Sequence, residues 1–331
     1  MTVLAEITFN GAVLLGKCVA CDAFDASRPL RVVTHAHADH MVGLRKSLKL
    51  CENVLMTEAT RELIEVLKGE HFISSGRVKA LDYGEPFEYG EERLILLPAD
   101  HILGAAQVLV EAADGSRVVY TGDFRIDETP TVEADVLVME ATYGSPWCRR
   151  PFNHEIKYTL VSLVEEHLCL GPVYVFGYYG KLQEVMHLLY NLGVKVSFLM
   201  PERIFNISKV YERHGIKLGR IICLESDEGK EILKSKGSYV AFYHMNSRSR
   251  VNGGFRIYVS GWMFSSPCRK LSENEYLVAL SDHSDFDGLL EYVRLSRPRR
   301  VILDNYRVSR AEVLAREIRR RLGIPAVAMP K

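Results

Sequence analysis

The stretch LRVVTHAHADH, from Leu30 to His40, runs an apolar strand directly into three imidazoles and a carboxylate. The first residues suit a buried strand. The later ones do not, because polar groups taken out of water without partners are costly. A chain that buries Val32 and Val33 must therefore bring polar partners, or a cation, to the end of that strand. Three of the chain's 11 histidines fall in these six closing positions. Alternate strand residues project to one side, so His35 and His37 share a direction, and Asp39 and His40 follow on the turn that opens MVGLRKSLKL. Imidazole and carboxylate together suit zinc or a similar divalent ion. Two further residues of that kind end later strands: His101 in LPADHILGAAQ, and Asp123 in VVYTGDFR after a glycine that leaves room. His101 alone reads equally as a hydrogen-bonded loop histidine; the joint pattern favours metal.

The surrounding chain has two rhythms. Over the first 140 or so residues, AVLLG, LRVVTH, NVLMT, RLILLPA, AAQVLVEAA, SRVVYTGD and ADVLVMEATYG read as short strands bounded by turn residues. TEATRELIEVLKG reads as a helix with Thr57 as N-cap and Gly69 past its end. From about 154, helices such as EIKYTLVSLVEEHLCLG, KLQEVMHLLYNLG and NISKVYERHG alternate with the strands PVYVFGY, VKVSFLM, RIICLE and SYVAFYH, which predicts a largely parallel sheet. From about 255 short strands return, FRIYVSG and EYLVALSDH. The helix FDGLLEYVRLS, the strand RRVILDN and the helix RAEVLAREIRRRLG follow.

At 331 residues there is room for two domains, or for one interrupted by an insertion. Hydrophobic content of 47% and charged content of 25% are those of a soluble globular protein. No apolar run is long enough to span a bilayer, and MTVLAEITFNGAVLL carries no leader features, so no signal peptide and no membrane partner are expected. Seven scattered cysteines predict a reducing cytoplasm, and the lone pair Cys18 and Cys21 has no second C-x-x-C to complete a metal site. Net charge is zero but uneven: residues 1–150 hold 15 Lys+Arg against 23 Asp+Glu, and residues 151–331 hold 27 against 19. An acidic half beside a basic half is compatible with a polyanion partner, and equally with solvated surfaces.

HAHADH, DHILGAAQ and YTGDFR resemble the sequential motifs of the metallo-β-lactamase superfamily. DVLVMEATYG and LSDHSDFDGLLEYV resemble the first two extra motifs of its nucleic-acid-cutting β-CASP branch. FGYYGKLQEVMHLLY, SGWM and RRVILDNYRVSRAEVLAREI are similar to DNA ligase-associated exonuclease-like members and to archaeal mRNA 3′-end processing factor-like members. The resemblance implies an α/β (α+β) chain, with a four-layer αββα core at 1–150 and 260–331 and an α/β β-CASP domain inserted at 151–259. It implies that His35, His37 and His101 hold one zinc, that Asp39 and His40 hold a second, and that Asp123 bridges them. Asp22, after KCVAC, would orient ligands from behind. Asp39, Glu140 and His283 would be the catalytic group, with His283 as general acid held by Glu140 beside the scissile phosphate. Two such ions lower the pKa of a shared water to near neutrality and draw charge from a phosphate. His283 also lies in SDHSDF, which reads as a helix N-cap region with Ser281, Asp282 or Ser284 capping.

One position departs from the family pattern. RNA-cutting β-CASP enzymes carry a histidine after the last strand that completes the second metal site; here the segment is VILDNYR. Asp304 could ligate through oxygen, while Asn305 is a poor zinc ligand. The expectation is one or two zinc ions, with the second site weak, filled by Mn or Mg, or absent. The departure tilts the expected substrate toward DNA over RNA. Nucleic-acid contacts are expected from Tyr178 and Lys181 at a strand-to-helix turn and from Arg248 and Arg250 in HMNSRSRVNGG; packing residues and a mobile loop are the plainer reading. Trp262 reads as core. The expected function is metal-dependent phosphodiester hydrolysis by a cytoplasmic DNA exonuclease of repair, with DNA ligase or helicase partners by family analogy. An RNA-processing ribonuclease is the alternative. An inactive binding subunit ranks lower because all six ligand residues remain. A small-molecule metallo-hydrolase also ranks lower, because it needs no insert of this size.

Overall fold

Aliphatic runs broken every few residues by glycine, proline or aspartate make short strands, and the first six are three or four residues long. The computed structural model describes residues 5–235, 237–308 and 310–331. The first sheet is built from β1 (Ala5–Ile7), β2 (Val13–Leu15), β3 (Val19–Cys21), β4 (Leu30–Val32), β5 (Asn53–Met56) and β6 (Val78–Ala80), in that spatial order. Its first three strands are antiparallel; from β3 onward neighbours are parallel. Helix α1 (Leu44–Leu50) packs on β5, and α2 (Glu58–Lys68) links β5 to β6. The Thr57 hydroxyl accepts from Thr60 N at 3.2 Å and Gly69 ends α2, as its sequence predicts.

The second sheet begins with β7 (Pro86–Tyr89), β8 (Glu92–Pro98), β9 (Ala106–Ala112), β10 (Arg117–Tyr120) and β11 (Val136–Met139). Strand β8 alternates buried and more exposed residues, while β9, β10 and β11 are buried along most of their length. Leu94, Leu96, Val108 and Val110 join Val13, Leu15, Leu30, Val32 and Leu55 in one core between the two sheets. Each such aliphatic side chain contributes about 1.5–3 kcal/mol on burial.

The chain then builds a separate compact unit, residues 150–282. It comprises α3 (Asn153–Leu168), β12 (Val173–Gly177), α4 (Lys181–Asn191), β13 (Ser197–Met200), α5 (Glu202–Arg213), β14 (Arg220–Cys223), α6 (Asp227–Lys234), β15 (Val240–His244), β16 (Phe255–Val259), β17 (Cys268–Ser272) and β18 (Glu275–Val278). The sheet order is β14-β13-β15-β12-β16-β18-β17, parallel except for β17 at one edge. From His283 the chain returns to the first unit through α7 (Phe286–Ser296), β19 (Arg300–Asp304), α8 (Ala311–Leu322) and β20 (Ala326–Met329). Strands β19 and β20 extend the second sheet beside β11, and α8 packs on both of them and against α7. The first unit is therefore helices, sheet, sheet, helices: the four-layer αββα arrangement.

Three expectations change. The return to the first unit comes at 283 rather than near 260, because β18 pairs with β16 in the insert's own sheet. A short strand looks the same in sequence whichever sheet it joins. Helix α5 starts at Glu202 rather than near 206, since Pro201 precedes it and a glutamate suits its first turn. Trp262 is 56% exposed, so it is not core. Among the described residues no helix is long and apolar enough to cross a membrane.

Candidate metal centre

Strand β4 ends in a turn held from three sides. Thr34 N and Oγ1 both donate to the carboxylate of Asp22, at 2.9 to 3.0 Å. Asp22 is fully buried and sits at φ 62°, a left-handed backbone that non-glycine residues adopt at a cost. From behind, the buried Arg31 guanidinium donates to the carbonyls of His40 (3.0 Å) and Val42 (3.3 Å). Thr34 and Arg31 were not singled out in the sequence; a lone arginine inside the apolar LRVV was the signal.

The turn and two later strand ends bring ligand atoms together. His35 Nε2 and His101 Nε2 each lie 3.1 Å from His37 Nδ1. His35, His37, His101 and Asp123 each offer one ligand atom within 4.8 Å of the others. Asp123 Oδ2 is 3.7 Å from His35 Nε2, 3.8 Å from His101 Nε2 and 3.2 Å from His40 Nε2. Asp39 Oδ2 is 3.5 Å from that same His40 nitrogen. Asp123 thus touches two sets, one of three imidazoles and one of His40 with Asp39. Gly122 lets it in: a Cβ there would sit 3.0 Å from the Ala106 carbonyl.

The donors fit a divalent cation. At zinc–nitrogen lengths of about 2.0–2.1 Å, tetrahedral ligand atoms stand roughly 3.3 Å apart, close to the separations here. His40 Nε2 is buried and makes no hydrogen bond of acceptable geometry, although Asp123 stands close by. Such a buried nitrogen needs a partner. Its other nitrogen, Nδ1, is 2.7 Å from Asp22 Oδ2, which fixes the ring so that Nε2 faces the ligand set.

The protonation pattern follows from the packing. Burial and then the neighbouring rings of His40, His101 and His37 push His35 well below the ordinary imidazole value, into the neutral form that ligates. Burial also works against a charged His40, but Asp123 and Asp22 outweigh it and hold that ring up to about 10. Burial raises Asp123 and Asp22, yet His40 outweighs it and holds Asp123 well below, and Asp22 below, the usual carboxylate range. A cation taking His40 Nε2 has to displace a proton.

Beside this set lies a second pair. Glu140 accepts from the Phe124 backbone N–H at 2.8 Å, directly after Asp123. Both its oxygens lie 3.0 Å from His283 Nδ1. The His283 ring packs 4.8 Å from that of His101, and Ser284 N donates to the Phe124 carbonyl at 2.7 Å. The cap of α7 is Asp285, accepting from Gly288 N at 3.0 Å, rather than Ser281, Asp282 or Ser284. One residue of difference leaves His283 outside the helix and on Glu140.

Asp304 does not join the ligands. It is buried, and its oxygens are taken by the Arg307 guanidinium, by Tyr306 N at 2.8 Å and by Arg307 N at 3.2 Å. Asn305 Nδ2 donates to the Pro330 carbonyl at 3.1 Å. Arg307 Nη2 also reaches the Asp39 carbonyl at 3.3 Å, a tie the sequence did not suggest. Of the nucleic-acid candidates, Lys181 is buried against Asp282 at 2.9 Å and is not presented to solvent; Tyr178, Arg248 and Arg250 are exposed.

Residues 26–176 match the β-lactamase superfamily domain. A 138-residue stretch, 41% of this chain, is 37% identical to a protein of Acidianus ambivalens described as an uncharacterized protein in the lig 3′ region, covering 99% of it. Over 82% of the chain there is 26% identity to a probable DNA ligase of Opitutus terrae, and over 59% there is 28% identity to the transcription termination factor FttA of Methanothermobacter thermautotrophicus. The chain belongs to the β-CASP branch of the metallo-β-lactamase superfamily. Proteins of this branch are metal-dependent hydrolytic nucleases. The β-CASP chain spans 26% of the ligase-named relative and 36% of the termination factor. Its fold is also that of a protein of unknown function from Enterococcus faecalis V583, with a TM-score of 0.59 over 85% of this chain and 76% of that one, at 15% identity.

Proposed function

We propose that this chain is a metal-dependent phosphodiesterase that hydrolyses nucleic acid, and that its substrate is DNA, degraded from an end during repair. The observation that carries the reading is Asp123 Oδ2, within 3.8 Å of three ring nitrogens from two ligand sets, with the Glu140–His283 pair one backbone hydrogen bond away. His35, His37, His101 and Asp123 would hold one zinc, and Asp39 and His40 with Asp123 would hold a second, weaker ion, zinc or Mn or Mg. Bound there, the cations supply Lewis acidity that makes water nucleophilic near neutral pH and draws charge from phosphate oxygens. Asp22 keeps His40 turned toward them. Glu140 holds His283 by Nδ1, which leaves Nε2 to give a proton to the departing oxygen. DNA is favoured because one relative is described as a probable DNA ligase and because Asp304 or Asn305 stands where RNA-cutting members have a histidine. The likeness to a transcription termination factor supports RNA as the second reading. A ligase or helicase is the partner class.

The test uses 5′- and 3′-labelled single-stranded and duplex DNA and RNA, with and without chelator, and Asp39→Ala beside the parent protein. A DNA ladder growing from one labelled end, lost on chelation, is expected. Preferred internal cutting of RNA selects the second reading, and intact polynucleotides from metal-replete protein overturn both.

A further inference from the structure

The Arg307 side chain is 8% exposed, and its two terminal nitrogens go to different places. Nη1 donates to Asp304 Oδ2, at the end of β19. Nη2 turns away from that carboxylate and donates to two backbone carbonyls, Gly11 in the β1–β2 turn and Asp39 in the turn after β4, each at 3.3 Å. A guanidinium that meets a carboxylate commonly pairs with it through two nitrogens. Arg125 does so in this same unit, with Nε and Nη2 on Asp100 at 2.7 and 3.0 Å. Arg307 divides its fork instead and spends one arm on the turn that carries the second set of metal ligands.

The division is built in. Asp304 Oδ1 accepts from Tyr306 N at 2.8 Å and from Arg307 N at 3.2 Å, so the carboxylate cannot swing round to take both arms. Gly11 has φ 81°, and a Cβ there would overlap the Tyr306 ring. Only glycine lets the β1–β2 turn lie against the residue before Arg307 and present its carbonyl. Asp39 depends on such a tie. Its carboxylate is 59% exposed, so packing does not aim it, and its backbone must. The next residue, His40, is fixed twice over, by Asp22 on its ring at 2.7 Å and by Arg31 on its carbonyl at 3.0 Å. The successive carbonyls of Asp39 and His40 are thus held by two different guanidinium groups. A positive charge beside a cation site opposes the cation if charge alone counts. Arg307 therefore has to earn its place through geometry.

We infer that Arg307 is the positioning residue for Asp39: anchored on Asp304, it holds the Asp39 carbonyl, aims the Asp39 carboxylate and so sets the affinity of the second ion, while the His35–His37–His101 set does not depend on it. The inference rests on the two-ion reading of the centre and adds what assembles its second site. The sign of the effect decides it. Removing Arg307 takes away a positive charge and frees the Asp304 carboxylate, and either change by itself would tighten the second ion. Loss of positioning weakens it.

The test titrates zinc, and separately manganese, into the full-length protein stripped of metal, near neutral pH and with no nucleic acid present. Calorimetry reads the two affinities. The parent is expected to take two ions, the second more weakly. Arg307→Met is expected to lose about 10–100-fold in affinity for the second ion and to bind the first as before. Arg307→Lys keeps the charge but cannot share it between Asp304 and the carbonyls, and is expected to fall between the two. Asp304→Asn releases the anchored arm and is expected to weaken the second ion in the same sense. The double variant is expected to do no worse than Arg307→Met alone, because the two residues act in one chain. Glu92→Gln is the control. It disturbs a buried contact to Lys17 N and Cys18 N at the start of β8, away from His101, and is expected to lower the melting temperature and leave both affinities unchanged. Circular dichroism checks the folding of each variant, and the Lys and Asn variants carry the test if Arg307→Met does not fold. The inference is overturned if Arg307→Met binds the second ion as tightly as the parent or more tightly, if both ions weaken alike, if the double variant loses far more than the single one, or if the parent takes one ion only. A protein that cleaves nucleic acid with a second ion indifferent to Arg307 loses this inference alone. One whose second ion needs Arg307 but which leaves every polynucleotide intact loses the nuclease reading alone.

Discussion

Asp22 acts on the centre from behind, through His40 Nδ1 at 2.7 Å and through two donors of Thr34. Removing its charge while keeping its shape leaves the His35–His37–His101 set intact and loosens the other. In metal titrations Asp22→Asn is expected to lose ~10–100-fold in affinity for the second ion while the first binds as before. His40 also sets a pH signature for chelated protein. Its folded pKa lies near 10, above the ordinary 6.5. That stabilisation is full below 6.5 and is lost as pH rises toward 10. His35 works in the opposite sense: its folded pKa is depressed, so below about 6.5 the unfolded chain takes a proton that the folded one refuses. Thermal melts in chelator are thus expected to peak near neutrality and fall on both sides. Asp22→Asn should flatten the alkaline fall, and an unchanged alkaline limb would remove His40 from the account.

At the scale of elements, the loop carrying His101 is pinned to the start of α2. Thr57 and Thr60 hydroxyls both donate to the Gly104 carbonyl, at 2.8 and 2.9 Å. Gly104 has φ 79°, and a Cβ there would meet Thr60 N at 2.7 Å. Gly104→Ala is expected to destabilise the fold and to lower metal content by displacing His101, read by melting temperature and by metal analysis. Thr57→Ala loses the cap and is expected to cost about 1 kcal/mol. In the insert, Lys181 and Asp282 form a buried pair at 2.9 Å. Lys181→Met strands a buried carboxylate, a loss of roughly 3–5 kcal/mol in denaturant unfolding, whereas adding Asp282→Leu should restore most of it. These elements also mark how far reading the chain went. The strand-end residues His35, His37, His101 and Asp123 and the cap of α2 were legible because each follows a local pattern. Asp285 as cap and Asp304 as Arg307's partner were not, although both contacts lie only three residues apart, because several capping residues compete in SDHSD and an aspartate at a strand end reads equally as a ligand; the exposure of Trp262 depends on what packs around it.

For the molecule as a whole, the charge asymmetry changes meaning once the division falls at 283. Residues 150–282 hold 17 Lys+Arg against 13 Asp+Glu, an excess of 4 that leaves the remaining unit at −4. Part of the basic second half belongs to α8, where Arg319, Arg320 and Arg321 are paired with Glu312 and Glu317. The excess in the insert is small, so phosphate attraction has to come from placed residues rather than from a global field. Binding of single-stranded DNA is expected to weaken with salt. Arg248→Ala with Arg250→Ala should reduce the slope of log affinity against log salt by about 1.4, two phosphates at ~0.7 each. An unchanged slope would place the phosphate contacts elsewhere.

The order of residues alone determined the ligand types and their strand-end spacing and the two rhythms of the chain, because these are consequences of side-chain chemistry and short-range periodicity. Only the tertiary structure decided that β18 belongs to the insert and that Trp262 is left exposed. Such facts turn on which distant segments pair and on what solvent reaches afterwards. Nothing in a local window of sequence carries that information.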